Sequence, residues 1–272
     1  MNIAMFQGKN IRKVLYKGEW WFSVVDICEA LTDSPDAGAY WRKLKQRLIE
    51  EKSEVVTFCH GLKLEAPDGK MRETDCADTE SMLRIIQSIP SPKAEPMKRW
   101  LAKVGFERVQ EIEHPELAAK RMRTLYKLKG YDEEWIALRM RGIVVREELT
   151  DEWKDRGAEP GRDYEILTAE ISKATFGVTP AEYKDLKGLE RENLRDHMDD
   201  FELIFSMLGE RSTAEIHRVR DSRGVSDLKI DAQDGGTIAG DARKNLETKI
   251  GRSVVTKDNY LKSAQSVKRL KK

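Results

Sequence analysis

Three carboxylates, Asp75, Asp78 and Glu80, stand close enough in the chain to suggest a cation site. Asp78 and Glu80 also open an apolar-periodic run, and the helix dipole favours acids in a first turn. That reading accounts for them without a metal. Cys59, His60 and Cys76 could supply softer ligands, but the CxxC pairs that make zinc sites recognisable are missing. They read as two small core residues and one exposed imidazole. Gly235-Gly236 and Gly240 make neither a P-loop nor a dinucleotide fingerprint, because no strand, GK[ST] or GxGxxG accompanies them. Sequence order suggests no Ser-His-Asp or Cys-His arrangement. The expectation is no catalytic set, no metal, no cofactor and no enzymatic activity.

Basic side chains make the stronger case. Between Ala37 and Ile49, Tyr40, Trp41, Leu44 and Leu48 form an apolar helix face. Arg42, Lys43, Gln46 and Arg47 point away from it, with Lys45 near the edge. This polar face carries one sign of charge, whereas ordinary exposed helices mix signs. Such a helix is either a solvated surface or one that lies against phosphate with its aromatic residues anchoring the back. A second basic set, Lys93, Lys98, Arg99 and Lys103, surrounds an apolar stripe of Met97, Trp100, Leu101 and Val104. A third, Lys120, Arg121, Arg123, Lys127 and Lys129, lies between Leu117 and Lys129 without an acid. The first two flank folded apolar faces and supply the DNA-binding candidates: Arg42, Lys43, Lys45, Arg47, Lys93, Lys98, Arg99 and Lys103. Near the other end, Glu192, Asp196, Asp199, Asp200 and Glu202 form an acidic helix face. It reads as a solvated surface, the alternative being a dock for a basic partner or a mimic of DNA charge.

The elements that position these residues are legible in outline. Ile11–Tyr16 and Trp20–Ser23 alternate in polarity around Lys17-Gly18-Glu19, a hairpin in which Gly18 supplies the positive φ. Val24, Ile27, Cys28 and Leu31 then fall on one helix face, with Trp20 or Trp21 expected to fill the angle between hairpin and helix. A strand over Val55–His60 is expected. It leads to a second hairpin, Leu62–Ala66 with Met71–Asp75, around Asp68-Gly69. Helices follow over Asp78–Ser88 and from about Ala94, with Gly105 a C-terminal signal or break. Pro115-Glu116 opens another helix, and Asp132 caps the next. Asp155–Arg162, rich in Gly and Pro, reads as the best linker. Beyond it the pattern is helical. Tyr164–Thr175 is one helix, and capping boxes stand at Thr179–Glu182 and Ser212–Glu215. The apolar residues Leu194, Met198, Phe201, Phe205 and Leu208 recur at helical steps. A loop is expected over Asp234–Gly240, a last helix over Asp241–Ile250, and a fraying basic tail from Lys257.

Composition bounds the rest. The chain has 272 residues, 36% charged and 39% apolar, which suits a helix-rich protein of two parts with modest cores. Net charge is only +1, so any nucleic-acid signal is local. No apolar run reaches a membrane span of about 20 residues. The start, MNIAMFQGKN, carries no signal-peptide pattern, and the odd cysteine count fits a reducing cytoplasm.

The stretch GEWWFSVVDICEAL resembles the start of the Bro-N domain, named for baculovirus repeated ORF proteins and found in phage antirepressors. Trp21, Phe22, Val24, Asp26, Ile27, Cys28 and Leu31 occupy the family's pattern after a short hairpin. The later DTESMLRIIQSIPSPKAEPMKRWLAKVGFERVQEI is similar to the family's second signature, with Met97, Lys98, Arg99 and Trp100 at its core. The loop Thr32–Gly38 departs from the common Gly-Tyr-containing form. LTAEISKATFGVTPAEYKDLKGL through NLRDHMDDFELIF is similar to the C-terminal part of the DNA-damage-inducible protein D group. These resemblances imply a nucleic-acid-binding α+β domain without catalysis, and a link to DNA damage and the SOS response through modulation of RecA-type recombinase filaments.

The expected organisation is therefore α+β: a Bro-N-like domain over residues 1–113, a basic helical connector over 114–160, and a helical domain with a basic tail over 161–272. The expected function is a non-enzymatic DNA-binding regulator of the phage antirepressor or DNA-damage-inducible type. The alternative is a protein-interaction module acting on a RecA-type recombinase or a repressor. DNA, double- or single-stranded, is the first partner. A recombinase or repressor is the second, self-association is allowed, and a membrane is not expected.

Overall fold

The computed structural model describes residues 5–6, 9–54, 57–66 and 68–261. The fold is α+β, with its sheet near the N-terminus and helices thereafter. It divides into two compact units, Met1–Leu117 and Ala118–Lys272.

In the first unit, β1 (Met5–Phe6) and β2 (Lys9–Asn10) form a short pair. β3 (Lys13–Tyr16), β4 (Glu19–Ser23), β5 (His60–Glu65) and β6 (Met71–Ala77) form an antiparallel sheet of order β3-β4-β6-β5. Tyr16 pairs with Glu19, so the turn is the two residues Lys17-Gly18, with φ of 49° and 82°. Positive φ at both central positions is the primed turn whose twist matches a hairpin. The strand expected over Val55–His60 instead begins at His60. Residues 55–56 lie outside the described residues, and 57–58 form a turn. Ser23 ends β4 and caps α1 (Val24–Leu31) by accepting from the Asp26 amide, so strand passes into helix without a linker.

α2 (Ala37–Glu50), α3 (Thr79–Ser88) and α4 (Glu95–Glu113) complete the unit, the last preceded by a 3-10 turn at Pro92–Ala94. Gly105 neither ends nor breaks α4. One core joins Phe22, Ile27 and Leu31 to Trp41, Leu44, Met82 and Ile85. Successive strand residues face opposite ways. Phe22, rather than either tryptophan, therefore fills the angle between hairpin and helices. Trp21 packs on the other face with Leu64 and Cys76, its ring 4.9 Å from that of His60. Trp21→Ala is expected to cost about 3 kcal/mol. Trp20 is exposed, and Trp20→Ala should change stability by about 0.5 kcal/mol or less. Urea denaturation of both variants checks this, and equal midpoints would contradict the assigned faces.

The second unit is a helical assembly. It holds most of α5 (Glu116–Lys129), then α6 (Glu133–Asp155), α7 (Arg162–Phe176), α8 (Pro180–Leu186), α9 (Asp200–Arg220) and α10 (Gly224–Ile250). The expected separation of a 114–160 connector from a 161–272 domain gives way here. α6 buries Trp135, Ile136, Leu149 and Trp153 in the same cores as α7 and α9. Asp155–Arg162 is a turn inside one bundle, with Ala158 buried. Gly and Pro mark a chain reversal whether it joins domains or neighbouring helices. At the centre of this core Trp153 donates to His217 Nε2 at 3.1 Å. An indole N–H can only donate, so the neutral His217 offers its Nδ1 proton to Asp231, 2.9 Å away.

Three further expectations are corrected. Ser212–Glu215 lies within α9 and starts nothing; the Thr213 hydroxyl donates to the Gly209 carbonyl instead. Asp234–Gly240, expected as a loop, is the middle of α10. Its glycines let backbones meet: a Cβ on Gly235 would come 2.5 Å from the Thr213 amide nitrogen, and one on Gly240 2.3 Å from the Ala174 carbonyl. Tertiary contact thus overrides the low helix propensity of Gly. Gly240→Ala should cost about 1–3 kcal/mol by overpacking. Gly105→Ala, where a Cβ meets nothing within 4 Å, should stabilise by about 0.5–1 kcal/mol. Melting of the two variants in opposite directions is the expected result. The tail does not fray at once either: Tyr260 stacks on Tyr131 at 5.8 Å, and Asn259 donates to the Lys187 carbonyl. Lys268–Lys272 lie outside the described residues.

Candidate nucleic-acid interface

α2 is built to present one face. Asp36 caps it by accepting from the Ala39 amide at 2.8 Å, and Trp41, Leu44 and Leu48 are buried beneath it. The Trp41 indole donates to Asp75 at 2.7 Å, which fixes the helix against β6. Lys45 donates to the same carboxylate at 2.9 Å. Burial works against the Asp75 charge, but these hydrogen bonds outweigh it and hold the carboxyl below the usual range. Arg12 locks the hairpin to α1 in the same way, clasping Asp26 through two guanidinium nitrogens at 2.8 and 2.6 Å. As a first-turn acid Asp26 would serve the helix dipole alone; the clasp exists only once the hairpin is folded.

The expected basic residues divide by what they touch. Lys45 is committed to Asp75, and Arg47 donates to the Ser88 carbonyl at 2.8 Å. Lys93 pairs with Asp33 and so ties the 3-10 turn to the loop before α2. Lys98 lies 3.7 Å from Glu95 and Lys103 3.8 Å from Glu107. Arg42, Lys43 and Arg99 are exposed and have no ion-pair or hydrogen-bond partner among the described residues. Their cations stand on rigid helices with nothing to release before meeting a phosphate. In the third basic stretch, Lys127 pairs with Glu133, and Lys129 lies over the Tyr126 ring at 5.5 Å.

One feature escaped the residue pattern. Lys13 sits 4.3 Å from the centre of the exposed Trp20 ring, and Leu15 is paired opposite Trp20. A cation beside an exposed aromatic face is a surface on which an unstacked base can lie. The signal was available in the hairpin register, since a two-residue turn puts residues 13, 15 and 20 on one face.

The other candidate chemistries take structural roles. Asp78 caps α3, accepting from the Ser81 amide at 2.8 Å. Burial pushes the Cys28 thiol up to about 12, and it is the main cause raising Cys59 and Cys76 to about 11, which makes all three poor nucleophiles. Among the described residues no group of three or more His, Cys, Asp or Glu is placed to hold a metal ion. None of the described helices is long and apolar enough to cross a membrane. The acidic face expected at 192–202 is broken up, with only Glu192 and Asp200 of its five acids exposed. Glu202 is buried, Asp199 caps α9, and Asp196 accepts from Arg139 at 2.9 Å and from Tyr126 at 3.0 Å.

No curated protein matches the chain. Residues 10–108, which hold the sheet from β3 to β6, the helices α1 to α3 and every basic candidate on α2 and α4, match the model described as the BRO family, N-terminal domain, and so carry a Bro-N domain.

Proposed function

We propose that the protein is a non-enzymatic, DNA-binding regulator of the phage-antirepressor or DNA-damage-inducible type. The observation that carries this reading is a Bro-N domain whose helix α2, clamped through Trp41, offers Arg42 and Lys43 to solvent unpaired. Fixed cations on a rigid helix suit phosphate contact. The Lys13–Trp20 pair adds a stacking platform of the sort single strands use. A non-enzymatic role is supported by the use of Asp75 and Asp78 as clamp and cap and by the raised thiols.

The test is binding of a labelled duplex and a labelled single strand by the full chain across a salt series. Steep loss of affinity with salt is expected for phosphate contacts. A second reading, a module that docks on a repressor or a RecA-type recombinase, draws on the exposed apolar residues Val104, Phe106, Val109 and Ile112 of α4. Binding through such a face would lose little with salt.

A further inference from the structure

The second unit holds a cavity of about 420 Å³, within the size range of small-molecule sites. Its mouth is charged and exposed at Arg191 and Glu192, with Lys184 half-buried. Its floor is buried at Thr175, Phe176, Met198, Ser206 and Glu210. Glu210 is 2% exposed. Its Oε1 takes both Arg146, at 3.4 Å, and Arg195, while its Oε2 is buried with no hydrogen-bond partner among the described residues. A buried carboxylate oxygen left unpaired calls for a donor.

We infer that this cavity binds a nucleoside monophosphate, with an amino or imino N–H of the base donating to Glu210 Oε2 and the phosphate held at the mouth by Lys184. Two guanidiniums already neutralise Glu210, so a neutral donor suits the site better than an ammonium. The apolar surfaces of Phe176, Leu194 and Met198 suit a planar base, and the Ser172 hydroxyl, whose proton goes to the Val178 carbonyl, keeps lone pairs that a sugar hydroxyl can meet. The ligand is far larger than a free phosphate and matches the cavity in scale. This assignment lies in the second unit and stands independently of the DNA reading.

The test is calorimetric titration of the full chain with AMP, CMP, GMP and UMP, and with the parent nucleosides. At least one monophosphate should bind saturably, and its nucleoside about tenfold or more weakly, as loss of a charged hydrogen bond predicts. Lys184→Glu should weaken the monophosphate by at least as much while leaving nucleoside binding alone. Ser206→Leu should abolish both, because its branched side chain occupies the cavity floor beside Glu210 where the base would lie. Its side chain has room there, so it should melt no lower than the parent. Arg42→Glu/Lys43→Glu, which lie in the first unit, should leave mononucleotide binding unchanged. Absence of binding by all four monophosphates overturns the proposal. So does binding that survives Ser206→Leu, or binding that is lost with the Arg42 and Lys43 reversals instead.

Discussion

Reversal of Arg42, Lys43 and Arg99 to glutamate is expected to lower the salt slope of DNA binding by about three, one for each phosphate that is no longer neutralised. These three cations are set apart by what they do not touch. Arg47 looks equivalent in sequence, but its bond to the Ser88 carbonyl means that reversing it would also disturb the end of α3. Reversing Lys45 would set a second carboxylate against Asp75. Arg42 and Lys43 leave Trp41, Leu44 and Leu48 in place, so circular dichroism and melting should match the parent. The measurement is fluorescence anisotropy with duplex and single strand at several salt concentrations. An unchanged slope in the folded variant would move the interface to Lys13–Trp20 or to Lys120–Lys129. A parent that binds no DNA at low salt would sink the DNA reading and leave the protein-partner reading standing.

Lys187→Met is expected to destabilise the chain by about 3–5 kcal/mol, the cost of leaving one member of a buried ion pair alone. Lys187 and Glu202 are both fully buried, with Nζ 2.9 Å from Oε1 and 3.0 Å from Oε2. The ammonium also donates to the Asp258 carbonyl at 2.6 Å, so its removal should loosen residues 258–260 against the bundle. Burial already pushes the Glu202 carboxyl above the usual range in spite of bonds from Tyr183, the Asp199 amide and Lys187. Without Lys187 it should rise further and become neutral in the folded chain. Protonation then relieves the stranded charge, so the gap between variant and parent should narrow as pH falls toward about 4.5. Adding Glu202→Gln keeps one oxygen to accept from the Asp199 amide, while its NH2 can donate to the Tyr183 hydroxyl, and should recover part of the stability. Urea denaturation of parent, single and double variants at two pH values decides it. A single variant as stable as the parent would mean that Lys187 is not buried as described.

Much of the first unit could be read from local chemistry, because its decisive signals act over a few residues. Gly18 and the alternation around it define a hairpin, the step from a period of two to a helical period places α1, and Asp36 and Asp78 cap where they stand. The basic character of α2 was equally plain. What the residues could not say was which cations were already spent. Lys45 and Arg47 find partners 30 and 41 residues away, and only the assembled sheet and helices bring those partners near. The same holds for Trp20 and Trp21, alike in sequence and separated only by which face of the sheet is covered.

In the second unit local signals misled more often, for one physical reason. Gly, Pro and Ser-x-x-Glu patterns report backbone preferences worth about 1 kcal/mol each, and helix packing outweighs them. Gly235, Gly236 and Gly240 spell a loop by propensity, yet they fold as helix because α7 and α9 come too close for a side chain. The acidic run at 192–202 spells a charged surface, yet Arg139, Lys187 and the α9 cap engage Asp196, Glu202 and Asp199 and leave only Glu192 and Asp200 exposed. Local chemistry dictates most of the elements and the charge they carry. Tertiary packing decides which charges remain available, because pairing depends on neighbours that lie far apart along the chain.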